Sequence, residues 1–360
     1  MDKIIKEIDI LINSLDFSAL WPEFRKFKFA LYDEKNYYMD GYVGEIDERF
    51  MGNSAIKLGN EAIAIWNMSM SAEYKSDEKI TSGIVHEMFH CFQGQYGEKR
   101  HANEILGIDY PIELENINLR SLERKLLYNS AIEVNKTQKL ELLKEFFNVR
   151  AEREKILSEF IEYEKAIETF EGNAVFVEFQ ALKQMSQDKD SMLVEFLNGF
   201  TDISPSNLAI RRSSYFQGMV LCMIADDLIP EWKIEFQNSD LYLSDFILNK
   251  LNIVIVPAKK EYLISEDVIN CIAEWEENID KEFNNFNSSD NIEKLENVSF
   301  AGFDPMNILK RGNEYLHKHF LKINQDGVDN MIKGPVKVVC GENMFYVKWI
   351  EFVKKTTASK

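Results

Sequence analysis

From residue 115 to residue 170 the chain carries neither proline nor glycine and is dense in Leu, Glu, Lys and Arg. Strong helix formers without a breaker over that length read as two or more long helices folded back on one another, and the pattern runs on through Gln184. The middle of the molecule is thereby committed to a helical body, around which the rest must pack. The flanking stretches have a different texture. Residues 1–16 read as an amphipathic helix, and residues 27–70 hold short β-prone runs broken by Gly41, Gly52 and Gly59, with 55–57 and 62–66 placed as a hairpin about Gly59-Asn60. Pro205 and Pro230 bracket a helix from about Asn207 to Leu228. After Trp232 come an apolar run at 253–256, a helix across 266–286, a polar Asn/Ser/Asp stretch at 284–291 that reads as a linker, and a hairpin pairing 336–340 with 344–349. The expected class is α+β, mainly α. It divides into an N-terminal helix and sheet over 1–75, a helical region over 76–235 with an insertion at about 102–165, and a small α/β segment over 236–360.

With 42 Lys and Arg against 60 Asp and Glu, the net charge is −18, which argues against nucleic-acid or anionic-membrane partners, since both need a basic footprint. Cys91, Cys222, Cys271 and Cys340 lie far apart, so neither a disulfide framework nor a cysteine zinc knuckle is expected. The first residues alternate charged and apolar side chains where a signal peptide needs an unbroken apolar core, and no run is long and apolar enough to span a bilayer. These features lead us to expect a soluble, cytoplasmic protein.

Histidine is scarce, yet two of the five fall in His86-Glu87-Met88-Phe89-His90, an HExxH pattern. Residues four apart on a helix leave one face a turn apart, so both imidazoles reach a common ion, while Glu87 stands beside that face, placed to take a proton from water rather than to ligate. Ser76 or Asp77 caps the helix, its apolar positions Ile80, Ile84, Val85, Met88, Phe89 and Phe92 recur at three- and four-residue steps, and Gly94 and Gly97 end it. A chance occurrence of the pentapeptide in such a chain is below roughly one in a hundred.

A catalytic zinc takes three protein ligands and keeps one open position. Gln93 and Tyr96 stand where a metzincin would have glycine and histidine. His101, in a charged loop after the glycines, reads better as a surface residue. The stronger third ligand lies in Glu168-Thr-Phe-Glu171-Gly172-Asn-Ala174-Val-Phe-Val-Glu178. Here the chain resembles the gluzincin class of zinc metallopeptidases, whose second helix often reads EGxAxxxE. The resemblance implies a zincin-like fold, Zn2+ as cofactor, Glu171 as third ligand, and Glu178 as the group that orients a histidine. It also implies that Gly172 and Ala174 let this helix approach the histidine helix, and that 62–66 is the edge strand on which an extended peptide binds. Downstream, Arg211, Tyr215, Gly218 and Cys222 share a helix face. Tyr215 resembles the residue that faces the oxyanion in such peptidases, and Arg211 or Arg212 is placed to hold a substrate carbonyl or carboxylate; a structural tyrosine above a close-packing glycine accounts for the same pattern. His317 and His319, two apart, read as surface residues. The resemblance covers about 55–230, and the chain lacks the GxMEN and ExxxD patterns of well-known members.

The implied activity is hydrolysis of a peptide or protein substrate, with His86, His90 and Glu171 as metal ligands, Glu87 as general base and Tyr215 as a catalytic partner. The rival expectation is a zincin-fold binding protein with a structural or vestigial metal, using its helical insertion as a partner surface.

Overall fold

The computed structural model describes residues 2–69, 76–186, 188–256 and 262–354. After α1 (Asp2–Asn13) and the short α2 (Phe17–Leu20), five strands form one sheet: β1 (Lys28–Tyr32), β2 (Asn36–Met39), β3 (Tyr42–Glu45), β4 (Ser54–Leu58) and β5 (Glu61–Asn67), in the order β3-β2-β1-β5-β4. Only β1 and β5 run parallel; the other pairs are antiparallel. Alternation along β1 and β5 splits their side chains between the faces. Ala30, Tyr32, Ile63 and Ile65 gather about Phe50 on one face, while Phe29, Leu31, Ala64 and Trp66 join the main core on the other.

The hairpin about Gly59-Asn60 forms as its sequence requires, with Ile56 opposite Ile63. The strand at 62–66 is not the sheet edge, however. It is flanked by β1 and β4, and the edge is β4, because the pairing of β5 with β1 leaves the earlier arm of the hairpin outermost. The end of the β-rich stretch at Met70 and the boundary drawn at 75 lie outside the described residues.

The main core is helical: α3 (Asp77–Tyr96), α4 (Glu104–Ile108), α5 (Leu114–Ile132), α6 (Lys136–Leu157), α7 (Phe160–Met185), α8 (Lys189–Phe196), α9 (Ile210–Leu228), α10 (Trp232–Gln237) and α11 (Leu243–Lys250). Ser76 caps α3 by accepting from the Lys79 amide, and Asp77 and Glu78 complement the positive end of its dipole. Gly94 does not stop this helix; it ends at Gly97, whose φ of 81° is the left-handed conformation that glycine adopts at no steric cost. α3 lies on the sheet at a notch: a Cβ at Gly83 would stand 2.3 Å from the Trp66 ring.

Gly172 does a different job from the one the resemblance implies. Its face is turned to α9, not α3, and a Cβ there would stand 2.5 Å from the Gly218 Cα, so two backbones touch. Gly218 is equally constrained, with the Glu168 carbonyl 2.2 Å from any added Cβ.

The charged helices at 115–170 are also not simply solvated. Arg120, Glu123, Arg124, Arg150, Arg153, Glu164 and Glu168 are all buried, each 4% exposed or less. Arg150 forks onto Glu168 with two 2.7 Å hydrogen bonds, Arg153 reaches Glu123 at 2.6 Å, and Arg120 reaches Glu164 at 3.0 Å. Matched guanidinium and carboxylate planes make burial of such groups tolerable.

The last part begins with α12 (Glu266–Asn287), which runs through the first half of the stretch expected to be a linker because Phe283 and Phe286 bury against Leu316. Eight strands follow: β6 (Ile292–Glu296), β7 (Ser299–Phe303), β8 (Ile308–Arg311), β9 (Glu314–His317), β10 (Phe320–Gln325), β11 (Val328–Lys333), β12 (Val336–Cys340) and β13 (Val347–Val353). They make two antiparallel sheets, β6-β13-β12-β9-β8 and β11-β10-β7. The expected hairpin from 336–340 is present, but its second arm is β13 at Val347–Val353 rather than 344–349, with 344–346 left in the turn. His317 is not a surface residue: it ends β9 facing inward at 1% exposed, while His319, beyond the strand, is exposed. Helix makes up about 52% of the chain and strand about 20%, which places it in the α+β class with helix predominant.

Candidate metal centre

Three side chains from two helices converge. His86 and His90 leave one face of α3, and Glu171 comes from α7, which packs along α3. The His86 and His90 Nε2 atoms are 3.1 Å apart, and Glu171 Oε2 is 3.6 Å from the first and 3.2 Å from the second. All three residues are largely enclosed, at 8% exposed for His86 and 7% for Glu171.

The tautomers follow from what lies behind the rings. His86 Nδ1 is 3.0 Å from Glu178 Oε2, a carboxylate that accepts, so Nδ1 carries the hydrogen. Behind His90, Gln93 donates its amide to the Phe170 carbonyl at 2.8 Å, which turns Gln93 Oε1 toward His90 Nδ1 at 2.7 Å. Both imidazoles therefore hold their hydrogen at Nδ1 and present Nε2 lone pairs to each other and to Glu171. Three acceptors facing one point need a cation between them. A single extra proton can bridge only one of the three contacts, whereas one metal ion satisfies all of them. A tetrahedral zinc with bonds of about 2.0–2.1 Å spaces its ligand atoms about 3.3 Å apart, close to the spacings here.

The local electrostatics express the same demand. Burial works against the His86 imidazolium, but Glu171 and Glu178 outweigh it and hold its pKa well above the ordinary value. Burial works against ionised Glu171 too, yet His90, His86 and Arg211 hold its carboxyl well below the usual range. Glu87, 8% exposed and next to both histidines, is shifted upward by burial.

Around the cluster, Arg211 contacts Glu171 Oε1 at 3.1 Å, donates from Nε to Glu104 at 3.1 Å and also donates to the Tyr215 hydroxyl. Burial and the Glu171 carboxylate raise the Tyr215 pKa far above that of a free phenol, so the hydroxyl keeps its proton. The structure thus brings His86, His90, Glu171, Glu178, Arg211 and Tyr215 into one neighbourhood, with Glu87 flanking it. His101 stays exposed, packed on the Phe170 ring that stacks on His90 at 4.7 Å. Glu168 is engaged by Arg150. Sequence reasoning did not find Gln93 or Glu104 as participants. Gln93 is one turn after His90 on the same helix, a spacing that gives the position but not the partner.

Compared with protein-family models, with curated proteins and with solved structures, the chain matches none.

Proposed function

We propose that this protein is a zinc-dependent peptidase of gluzincin type, with His86, His90 and Glu171 holding the ion. The observation that carries the reading is the convergence of His86 Nε2, His90 Nε2 and Glu171 Oε2 within 3.6 Å of one another, with each imidazole braced from behind at Nδ1. A bound zinc would supply Lewis acidity, lowering the pKa of water toward about 7 and polarising a carbonyl. The rest is the work of side chains. Glu87, its carboxyl raised by burial toward the working pH, accepts the proton of the attacking water and returns it to the leaving amine. Tyr215 stays protonated and donates to the oxygen that gains charge, and Arg211 holds both Glu171 and Tyr215 in place. An extended substrate would pair with β4, the edge strand nearer α3 in a sheet whose β4 and β5 both rest on that helix.

Metal content and peptide-library hydrolysis, measured on wild type, Glu87→Gln and Glu171→Ala, test this. We expect about one zinc per chain in the first two, a large loss in the third, and cleavage by wild type alone. Full turnover by Glu87→Gln would remove the mechanism; no zinc in wild type after zinc is added back would remove the site.

A further inference from the structure

Arg211 divides one guanidinium among three partners. Its Nη1 donates to the Tyr215 hydroxyl, its Nη2 to Glu171 Oε1 at 3.1 Å, and its Nε to the Glu104 carboxylate at 3.1 and 3.2 Å. Glu104 Oε1 also stands 3.1 Å from Nη2, so this carboxylate grips the side of the fork formed by Nε and Nη2. The guanidinium is flat and rigid, and a grip on two of its nitrogens fixes where the third points. Glu171 and Tyr215 belong to the site itself. Of these partners only Glu104 comes from outside it, on α4, so the aim of Nη1 at Tyr215 is set from there.

Glu104 is held in turn by the C-terminal part of the chain. α4 is five residues long with no fully buried side chain, too short to keep a helical position unaided. One side of it lies on α7: Leu106 joins the cluster about Ile161, Tyr163 and Ile167, and a Cβ at Gly107 would stand 2.4 Å from the Tyr163 ring. The other side is taken up by the C-terminal sheets. Ile105 and Ile108 pack against the cluster of Tyr315, Leu321 and Val338, drawn from β9, β10 and β12, and Asp109 pairs with Lys310 of β8 at 2.5 Å. We propose that Glu104 is a positioning residue for the metal centre, and that the C-terminal sheets act on that centre by fixing α4 and with it the aim of Arg211. The consequence for turnover rests on the peptidase reading, whereas the contacts that run from β8 and β10 through α4 to Arg211 do not. Sheets that supply no ligand thereby gain a hold on the group that steadies Glu171 and Tyr215.

The test uses the full chain as wild type, Glu104→Ala, Glu104→Gln and Ile108→Ala. Lys294→Met is the control, since it breaks a comparable exposed pair with Glu296 on β6, at the edge of the sheet opposite β8. On the metal-free protein, NMR follows how fast the Arg211 Nε hydrogen exchanges with water, its signal assigned by its loss in Arg211→Lys. Loss of a charge-assisted bond should speed that exchange about tenfold in Glu104→Ala, with a smaller gain in Ile108→Ala. Glu104→Gln, whose amide oxygen still accepts, should fall between wild type and Glu104→Ala, and Lys294→Met should match wild type. With zinc bound, Glu104→Ala should keep its metal and its KM within about twofold while kcat falls about tenfold, because a misaimed donor is lost mainly to the developing oxyanion. A merely structural Glu104 would move the denaturation midpoint and leave both exchange and kcat alone. Unchanged exchange in Glu104→Ala, faster exchange with unchanged kcat, or an effect of Lys294→Met as large as that of Ile108→Ala would each overturn the proposal. If Ile108→Ala does not fold, Lys310→Met, which removes only the exposed pair with Asp109, reads the same link. A wild type that binds no zinc or cleaves no peptide removes the peptidase reading, while the exchange rates still decide what positions Arg211.

Discussion

Glu168 and Glu171 sit within one turn of each other on α7, both buried, and they meet opposite fates. Glu168 is answered inside the protein by the two-pronged Arg150 contact, whereas Glu171 meets the Nε2 atoms of two imidazoles and a single Arg211 contact. Near Glu171 four carboxylates, Glu87, Glu104, Glu171 and Glu178, stand against the one guanidinium of Arg211 and the two imidazoles. The difference separates two uses of buried charge. A region that supplies its own counter-charges holds helices together, while one left short of cations has, on the proposed reading, a place for a metal ion.

The largest expected effect lies on the first side of the comparison. Arg150→Met leaves Glu168 and Glu123 short of a cation, and we expect a loss of about 3–5 kcal/mol in urea denaturation, whether or not metal is present. Glu171→Gln should strip the metal and cost the metal-free protein less than Arg150→Met does, because His86, His90 and Arg211 lose one charged partner while the amide oxygen still accepts. If Glu171→Gln destabilises the chelated protein as much as Arg150→Met does, the two clusters are alike and the contrast fails. A smaller effect sharpens the second side: Glu178→Gln weakens the brace behind His86, and a competitive chelator titration should show metal affinity reduced about 10–100-fold. The smallest concerns His317, buried with neither ring nitrogen bonded and its pKa lowered to about 4 by burial. Its folded value lies below its unfolded one, so its contribution to stability is complete above about pH 6.5 and is lost as pH falls toward 4. His317→Gln should flatten the stability profile in that window; an unaltered slope would show that His317 gains a partner or water in solution.

What the sequence displayed was what short spacing encodes. The His86–His90 face and the Gly59-Asn60 hairpin are set by residues a few places apart, whereas Glu171 and Glu178 were legible only through the resemblance of their helix to EGxAxxxE; the structure puts each into contact or pairing at those positions. The buried side of α5 and α6 was not legible, because periodicity arguments assign polar residues to solvent, and a buried Arg–Glu lattice violates that assignment without changing the composition. Gly172 was legible as a close-approach residue but not in its direction, since a glycine has no side chain to point. The interior place of β5 and the inward face of His317 depend on strand partners far along the chain, which local alternation does not name.

The backbone contact between Gly172 and Gly218 has a mechanical consequence. With no side chains between them, the helices have nothing at that point that can compress or change rotamer, so relative motion there is a pivot rather than a slide. Glu171 sits next to the fulcrum, whereas Arg211 lies seven residues out along α9, on an arm of about 10 Å, and Tyr215 less than halfway along it. A tilt of roughly 10° swings Arg211 by about 2 Å while leaving Glu171 nearly still. On the proposed reading, a tilt at this crossing would act as a lever whose fixed end carries the candidate metal ligand Glu171 and whose far end carries Arg211.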